Sequence, residues 1–280
     1  MPRAKNGAVE IEYEAFGDPA NEAVLLINGL GSQMTRWPEP FCALLVAKGL
    51  YPIRFDNRDV GLSTWCEGLD YGVDDMAADG AAVLDASGKA KAHIVGVSMG
   101  GMIAQVFAAN YPARTLSLTS IMSNTGNPNL PPPNAALLNT RPLDPADPGF
   151  IADTVARAEA IGSPAYPWPP GALAARARAE AQRGFNPAGV QRQMAAIRAS
   201  GDRRERISTI KAPTMVLHGE ADPLVPVIGG RDTAANIPGA ELRTIPGMGH
   251  DLPPALYDTF VATIWRAVER GRAAALGSAA

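Results

Sequence analysis

The chain has 280 residues, enough to bury the core of one large α/β domain or two ordinary ones. A hydrophobic content of 46% with 19% charged residues is that of globular chains, and a formal net charge of −3 without a basic block gives no electrostatic case for nucleic acid. No apolar run approaches the roughly 18 residues of a bilayer span, and Met1 to Gly7 carry no apolar signal segment, so no membrane partner and a cytoplasmic location are expected.

Val9 to Phe16 alternates apolar with acidic residues, the pattern of a half-exposed strand closed by Gly17-Asp18-Pro19. Ala23 to Ile27 is continuously apolar, as a strand buried on both faces should be, and it runs into the glycine-bearing loop Asn28-Gly29-Leu30-Gly31. Pro38 to Lys48 has helical spacing, with Gly49 behind it. Tyr51 to Phe55 is the next strand, and the polar loop Asp56 to Ser63 that follows reads as structural support for neighbouring turns. Asp74 to Ser87 is an alanine-rich helix stopped by Gly88. Cys42 and Cys66, the only cysteines, have no spacing that suggests a redox pair or a metal site.

His93 to Ala104 follows, and it carries the most informative motif. Ile94, Val95 and Val97 lead into Gly96-Val97-Ser98-Met99-Gly100, and a helical composition begins almost at once. A strand that stops and a helix that starts within two residues strain the residue at the bend, and glycines on both sides relieve the crowding. Such a turn raises Ser98 Oγ above the sheet edge, with the free amides of a helix N-terminus behind it. Leu116 to Met122 is another apolar strand.

From about Asn124 to Arg206 the composition changes. Prolines recur, and between them lie alanine- and arginine-rich helical segments near 151–161, 172–183 and 189–200, without a strand pattern. This stretch is expected to be a helical insertion, its arginines mostly a solvated face. Alternation then resumes with a strand at Pro213 to Leu217 and the polar loop His218 to Pro223. A short helix around Thr233 to Asn236 and a strand at Glu241 to Ile245 follow. The loop Pro246 to Asp251 leads to a last helix, Pro254 to Arg270. The small residues from about 271 onward are expected to be disordered. The whole reads as a mostly parallel central sheet flanked by helices, divided into a core of residues 1–123 and 207–280 and a cap of residues 124–206 inserted before the last two strands.

A serine hydroxyl needs a base, and the base needs a group that fixes its tautomer. Loops that follow parallel strands all lie on one edge of the sheet. Ser98, Asp222 and His250 each fall just past a different strand, in an order that fits a nucleophile elbow. The chain has three histidines. His93 lies at the wrong end of its strand, and His218 is expected to bond locally. Glu220 and Asp251 compete with Asp222, which is preferred because it precedes a proline in a tight loop. The oxyanion amides are assigned to Met99 and to Leu30, with Gly31 second. Trp37, Met122, Tyr166 and Trp168 are expected to line an apolar pocket.

The motif Gly96-Val97-Ser98-Met99-Gly100-Gly101, with Asp222 and His250 so placed, resembles the α/β-hydrolase superfamily over essentially the whole chain. Within it, Ile53 to Thr64 and Ile245 to His250 are similar to the aclacinomycin methylesterase group of capped esterases, although Asn28-Gly29 stands where many relatives have His-Gly. The resemblance implies an α/β-hydrolase fold, an acyl-serine mechanism without a cofactor or metal, and small-molecule carboxylic esters as substrates. C–C bond hydrolysis, enol-lactone hydrolysis and cofactor-free perhydrolysis use the same three residues and stay open. A receptor of this fold that binds a small molecule under its cap is the non-enzymatic alternative, which labelling of Ser98 by a fluorophosphonate tests.

Overall fold

The computed structural model describes residues 1–138 and 144–277. Its strands are β1 (Arg3–Asn6), β2 (Val9–Ala15), β3 (Glu22–Ile27), β4 (Leu50–Phe55), β5 (Ala92–Val97), β6 (Thr115–Ile121), β7 (Thr214–Gly219) and β8 (Glu241–Ile245). They form one sheet in the order β1-β2-β4-β3-β5-β6-β7-β8. The pairs β1–β2 and β2–β4 are antiparallel, and every pair from β4 to β8 is parallel. The chain is therefore an α/β hydrolase fold whose C-terminal strand ends converge on one edge. Among the described residues no helix is long and apolar enough to cross a membrane.

The period of two in the apolar strands sends successive side chains to opposite faces. Leu25, Ile27 and Ile94 join one core cluster with the helices α2 (Val73–Ala86) and α3 (Met99–Asn110). Val24, Leu26, Val95 and Val97 join the other, against α1 (Glu39–Ala47) and α10 (Tyr257–Gly277). β1 is hard to read as a strand in the sequence, because only Ala4 of its four residues is apolar and buried, while Arg3 and Lys5 reach out to Glu10 and Glu12 of β2.

Between β6 and β7 the described chain forms α4 (Ala135–Leu138), α5 (Phe150–Ile161), α6 (Ala172–Arg183), α7 (Pro187–Ser200) and α8 (Arg204–Ile207). Asn186 caps α7 by accepting from the Gly189 amide at 3.1 Å, with Pro187 in the first helical position. α9 (Ile228–Asn236) links β7 to β8. The inserted arginines are not a solvated face throughout. Arg183 turns inward to Asp56 at 2.5 Å and Arg192 to Asp59 at 2.5 Å, each against a fully buried carboxylate.

The expected disorder from residue 271 also needs correction, because α10 continues to Gly277. Gly271 lets the helix lie against the sheet, where a Cβ would stand 2.6 Å from Leu116 O. Arg272 then pairs with Glu22 at 2.7 Å and covers the Trp265 ring at 5.0 Å, and the alanines that follow are strong helix formers. The remainder of that expected tail, residues 278–280, lies outside the described residues.

Candidate active site

The elbow is built by close approach. Ser98 has φ 58° and ψ −123°, a left-handed-side backbone that only a tight surrounding holds in a non-glycine residue. A Cβ on Gly96 would stand 1.9 Å from Gly100 O, and one on Gly100 would stand 2.3 Å from Ile27 O. The two glycines thus let β5, α3 and the end of β3 converge. α3 begins at Met99, and Ser98 O takes the amides of Gly101 and Met102 at 2.9 and 3.3 Å.

The loops after β5, β7 and β8 bring three predicted residues together. His250 Nε2 lies 2.9 Å from Ser98 Oγ, and His250 Nδ1 lies 2.7 Å from Asp222 Oδ2. The loops of the last two are laced by the Ala221 amide, which donates to Met248 O at 3.0 Å. Asp222 Oδ1 accepts the amides of Leu224 and Val225 at 2.9 and 2.8 Å, so its carboxylate plane is fixed. Burial pushes the Asp222 carboxyl up, but hydrogen bonds from His218 and His250, the charge of His250 and the Val225 amide outweigh it and hold the group at about 2. With Asp222 ionised, Nδ1 of His250 donates to it and Nε2 faces the serine as the acceptor.

His218 bonds locally, as expected, yet it also reaches this network. Its Nε2 donates to Val225 O at 2.8 Å and lies 3.5 Å from Asp222 Oδ2. The shorter contact takes most of the proton, and the longer adds positive potential at the carboxylate. His93 is buried at the far end of β5 with Nδ1 2.8 Å from Ser117 Oγ, and takes no part. The competing carboxylates are engaged elsewhere. Glu220 accepts from Thr244 Oγ1 at 2.7 Å, and Asp251 accepts from Ser163 Oγ and, at 2.7 Å, from Trp168 Nε1.

Of the three loop amides, that of Gly31 donates to Gln193 Oε1 at 2.8 Å. Those of Leu30 and Met99 have no acceptor among the described residues; Met99 follows Ser98 in the chain, and Leu30 follows Gly29, which lies against the serine. Gly29 permits this: a Cβ there would lie 3.2 Å from Ser98 Cβ. Two amides next to the serine and free of other partners can receive an oxyanion.

A cavity of about 340 Å³ opens over Ser98 and His250. Met122 and Trp168 line it, with Leu137, Phe150, Phe185 and Leu224 supplying apolar wall. Trp37 and Tyr166 do not. Trp37 is fully buried in the core beneath α1, its ring 5.1 Å from that of Phe41, because its carbonyl is held by Arg54 and the chain enters the helix there. Tyr166 sits in a turn closed on Ser163 and packs on the same core cluster.

Sequence reasoning missed the residues of the inserted helices that hold the site. Gln193, fully buried on α7, accepts from Gly31 and donates to Arg58 O at 2.8 Å. The backbone amide of His250 donates to Ile161 O at 2.7 Å, and that of Gly249 to Ser163 Oγ at 2.9 Å. A glutamine or serine more than 80 residues from its partner leaves no local pattern in a sequence, as the separations of 162 and 86 residues make plain.

Comparison with known proteins places these loops in a wider context. The family described as alpha/beta hydrolase fold matches residues 22–253. Rhodomycin D methylesterase DnrP of Streptomyces peucetius is 31% identical over 284 residues, covering 92% of this chain and 95% of that protein. Rhodomycin D methylesterase DauP of Streptomyces sp. (strain C5) is 30% identical over 281 residues, covering 91% and 94%. Among solved structures, the enol-lactonase from Burkholderia xenovorans LB400 superposes with a TM-score of 0.75 at 21% identity, covering 96% of this chain and all of that one, a likeness of fold.

Proposed function

The chain belongs to the α/β hydrolase fold family, and on that footing we propose that it is a serine carboxylesterase whose helices between β6 and β7 form a cap over the active site. The observation that carries the reading is the continuous hydrogen-bonded line from Ser98 Oγ through His250 to Asp222, at 2.9 and 2.7 Å. Ser98 attacks the ester carbonyl carbon while His250 Nε2 takes its proton, and Asp222 steadies the imidazolium that results. The carbonyl oxygen, now negative, is received by the Leu30 and Met99 amides. Collapse expels the alcohol, which takes the proton from His250. Water, deprotonated by the same nitrogen, then attacks the acyl-serine, and the carboxylic acid leaves as Ser98 is re-protonated.

The two methylesterase relatives support a small alcohol as the leaving group. The apolar wall and a cavity of about 340 Å³ favour short or medium acyl chains, so the rate should fall beyond roughly ten carbons. The test is turnover of p-nitrophenyl acetate and butyrate together with fluorophosphonate labelling. Wild-type protein should turn over both esters and be labelled at Ser98, and Ser98→Ala should do neither. Absence of labelling in the wild type overturns the enzymatic reading. Turnover of a vinylogous diketone without turnover of any simple ester overturns the ester reading in favour of C–C hydrolysis.

A further inference from the structure

The mechanism above uses the floor of the cavity and leaves one cation in its wall unexplained. Arg36, Arg157 and Arg176 line the cavity, as do Asp59, Glu180 and Asp251. The carboxylates are each committed elsewhere. Glu180 takes Arg36 in two bonds of 2.9 and 3.0 Å, Asp59 takes Arg192, and Asp251 takes Ser163 and Trp168. Arg157 has a partner of its own. Arg176 has no hydrogen-bond acceptor or ion-pair partner among the described residues, and its guanidinium lies over the Trp168 ring, 4.7 Å from the centroid.

That position is unfavourable for a cation unless something completes it. Burial, and then the charge of Arg36, outweigh the nearby but already hydrogen-bonded carboxylates of Glu180 and Asp251 and hold the Arg176 pKa below its ordinary value, at about 10, so the group is still charged at neutral pH. A partly desolvated guanidinium without an acceptor is normally paired. Its planar fork matches a carboxylate in two parallel bonds. Trp168 steadies the guanidinium over its ring, and the indole is itself held at Nε1 by Asp251 at 2.7 Å.

We propose that Arg176 is a carboxylate subsite, so that the preferred substrates are esters that carry a second, free acid group away from the scissile bond, such as half-esters of dicarboxylic acids. The proposal rests on the esterase reading, and it names the substrate class of that same cavity. Nothing in the chemistry at Ser98 requires the second acid. It binds, orients the acyl chain along the cavity, and leaves with the acid product.

The experiment compares mono-p-nitrophenyl esters of succinate, glutarate, adipate and suberate with neutral p-nitrophenyl esters of equal chain length. A charge-assisted bidentate contact should favour the best half-ester by about tenfold to a hundredfold in kcat/KM, mostly through KM. Arg176→Gln should remove that preference, read within each protein as the ratio of half-ester to neutral-ester kcat/KM, and Arg176→Lys should restore part of it. Binding of the free dicarboxylates, measured as protection of Ser98 from the fluorophosphonate, gives a second readout that does not depend on turnover by the variants. Equal kcat/KM for half-esters and neutral esters in the wild type, or an unchanged preference in a folded Arg176→Gln protein, overturns the subsite while the esterase stands. Loss of labelling and of all turnover in the wild type overturns both.

Discussion

Replacing Asp222 by asparagine separates what the carboxylate does for catalysis from what it does for the loop. Oδ1 receives the amides of Leu224 and Val225 at 2.9 and 2.8 Å, so the asparagine must turn its oxygen to them. Its amino group then faces His250, where Oδ2 now stands 2.7 Å from Nδ1. A donor there forces Nδ1 to accept and places the ring proton on Nε2, 2.9 Å from Ser98 Oγ, where a base is needed. The imidazole keeps its place in the wrong tautomer. The expected loss is about 10⁴-fold in kcat, roughly 5 kcal/mol of transition-state stabilisation. The loss of stability should be far smaller. A carboxyl held at about 2 rather than 3.8 contributes about 2 kcal/mol at neutral pH, a melting shift of about 4–8 °C. The assay is kcat on p-nitrophenyl butyrate beside a thermal melt. A folded Asp222→Asn protein within tenfold of wild-type kcat would refute the tautomer argument.

Four further substitutions, the last of them read by pH titration, test other parts of the structure. Gln193→Met leaves the Gly31 amide and Arg58 O without partners, and should lower kcat by about tenfold to a hundredfold with KM nearly unchanged, whereas an unaltered kcat in a destabilised protein would make Gln193 merely a packing residue. Gly100→Ala sets a Cβ 2.3 Å from Ile27 O and should cost about 3 kcal/mol or abolish soluble expression; a wild-type melting temperature would contradict the close approach. Trp168→Phe keeps an aromatic side chain but leaves Asp251 with Ser163 alone, so it should loosen the histidine loop and lower kcat about tenfold, measured on a neutral ester. His93 is held down to about 4 by burial, so the folded state binds fewer protons than the unfolded one between about 6.5 and 4. Stability from this group is full above 6.5 and lost as pH falls through that window, on the order of 2 kcal/mol by pH 4.5 in urea titrations, and His93→Leu should flatten the profile.

Residues that act through their neighbours in sequence were legible, and those that act through distant ones were not. The apolar runs at Ala23–Ile27 and Ile94–Val97 declare buried strands because each side chain must find one of two core faces. Ser98, Asp222 and His250 could be grouped because a parallel sheet puts its strand ends on one edge, whatever the strand order. Trp37 and Tyr166 were assigned to the pocket because aromatic character says that a side chain is buried, not on which side of the sheet. The inward arginines were assigned to solvent for a related reason. Arg183 and Arg192 have ordinary helical spacing, and only the fold sets the carboxylates of Asp56 and Asp59 beneath them. The end of α10 was missed because Gly271 reads as a helix stop unless the sheet surface that it approaches is known.

The inserted helices bear on two loops of the site, the oxyanion loop and the histidine loop. α7 holds the oxyanion loop through Gln193 and Gly31, the end of α5 holds the amide of His250, and Ser163 holds that of Gly249. α6 and α7 bind Asp56 and Asp59, and Asp56 in turn accepts the Met34 amide at 2.7 Å just beyond the oxyanion loop. Lifting these helices as one body would break all of these bonds, at about 0.5–1.5 kcal/mol for each neutral one and more for the charged pairs. It would also release the Leu30 amide and the His250 ring from their positions at Ser98. A motion so costly that dismantles the catalytic geometry is a poor route for substrate entry at each turnover. Access must instead come from displacements that spare α7 and the Ile161–Ser163 segment, and Phe150, Phe185 and Leu224 are among the lining groups whose apolar side chains have no hydrogen bonds to lose. On the proposed esterase reading, the inserted helices are then a fixed part of the site, and the same helices bear on both specificity and rate.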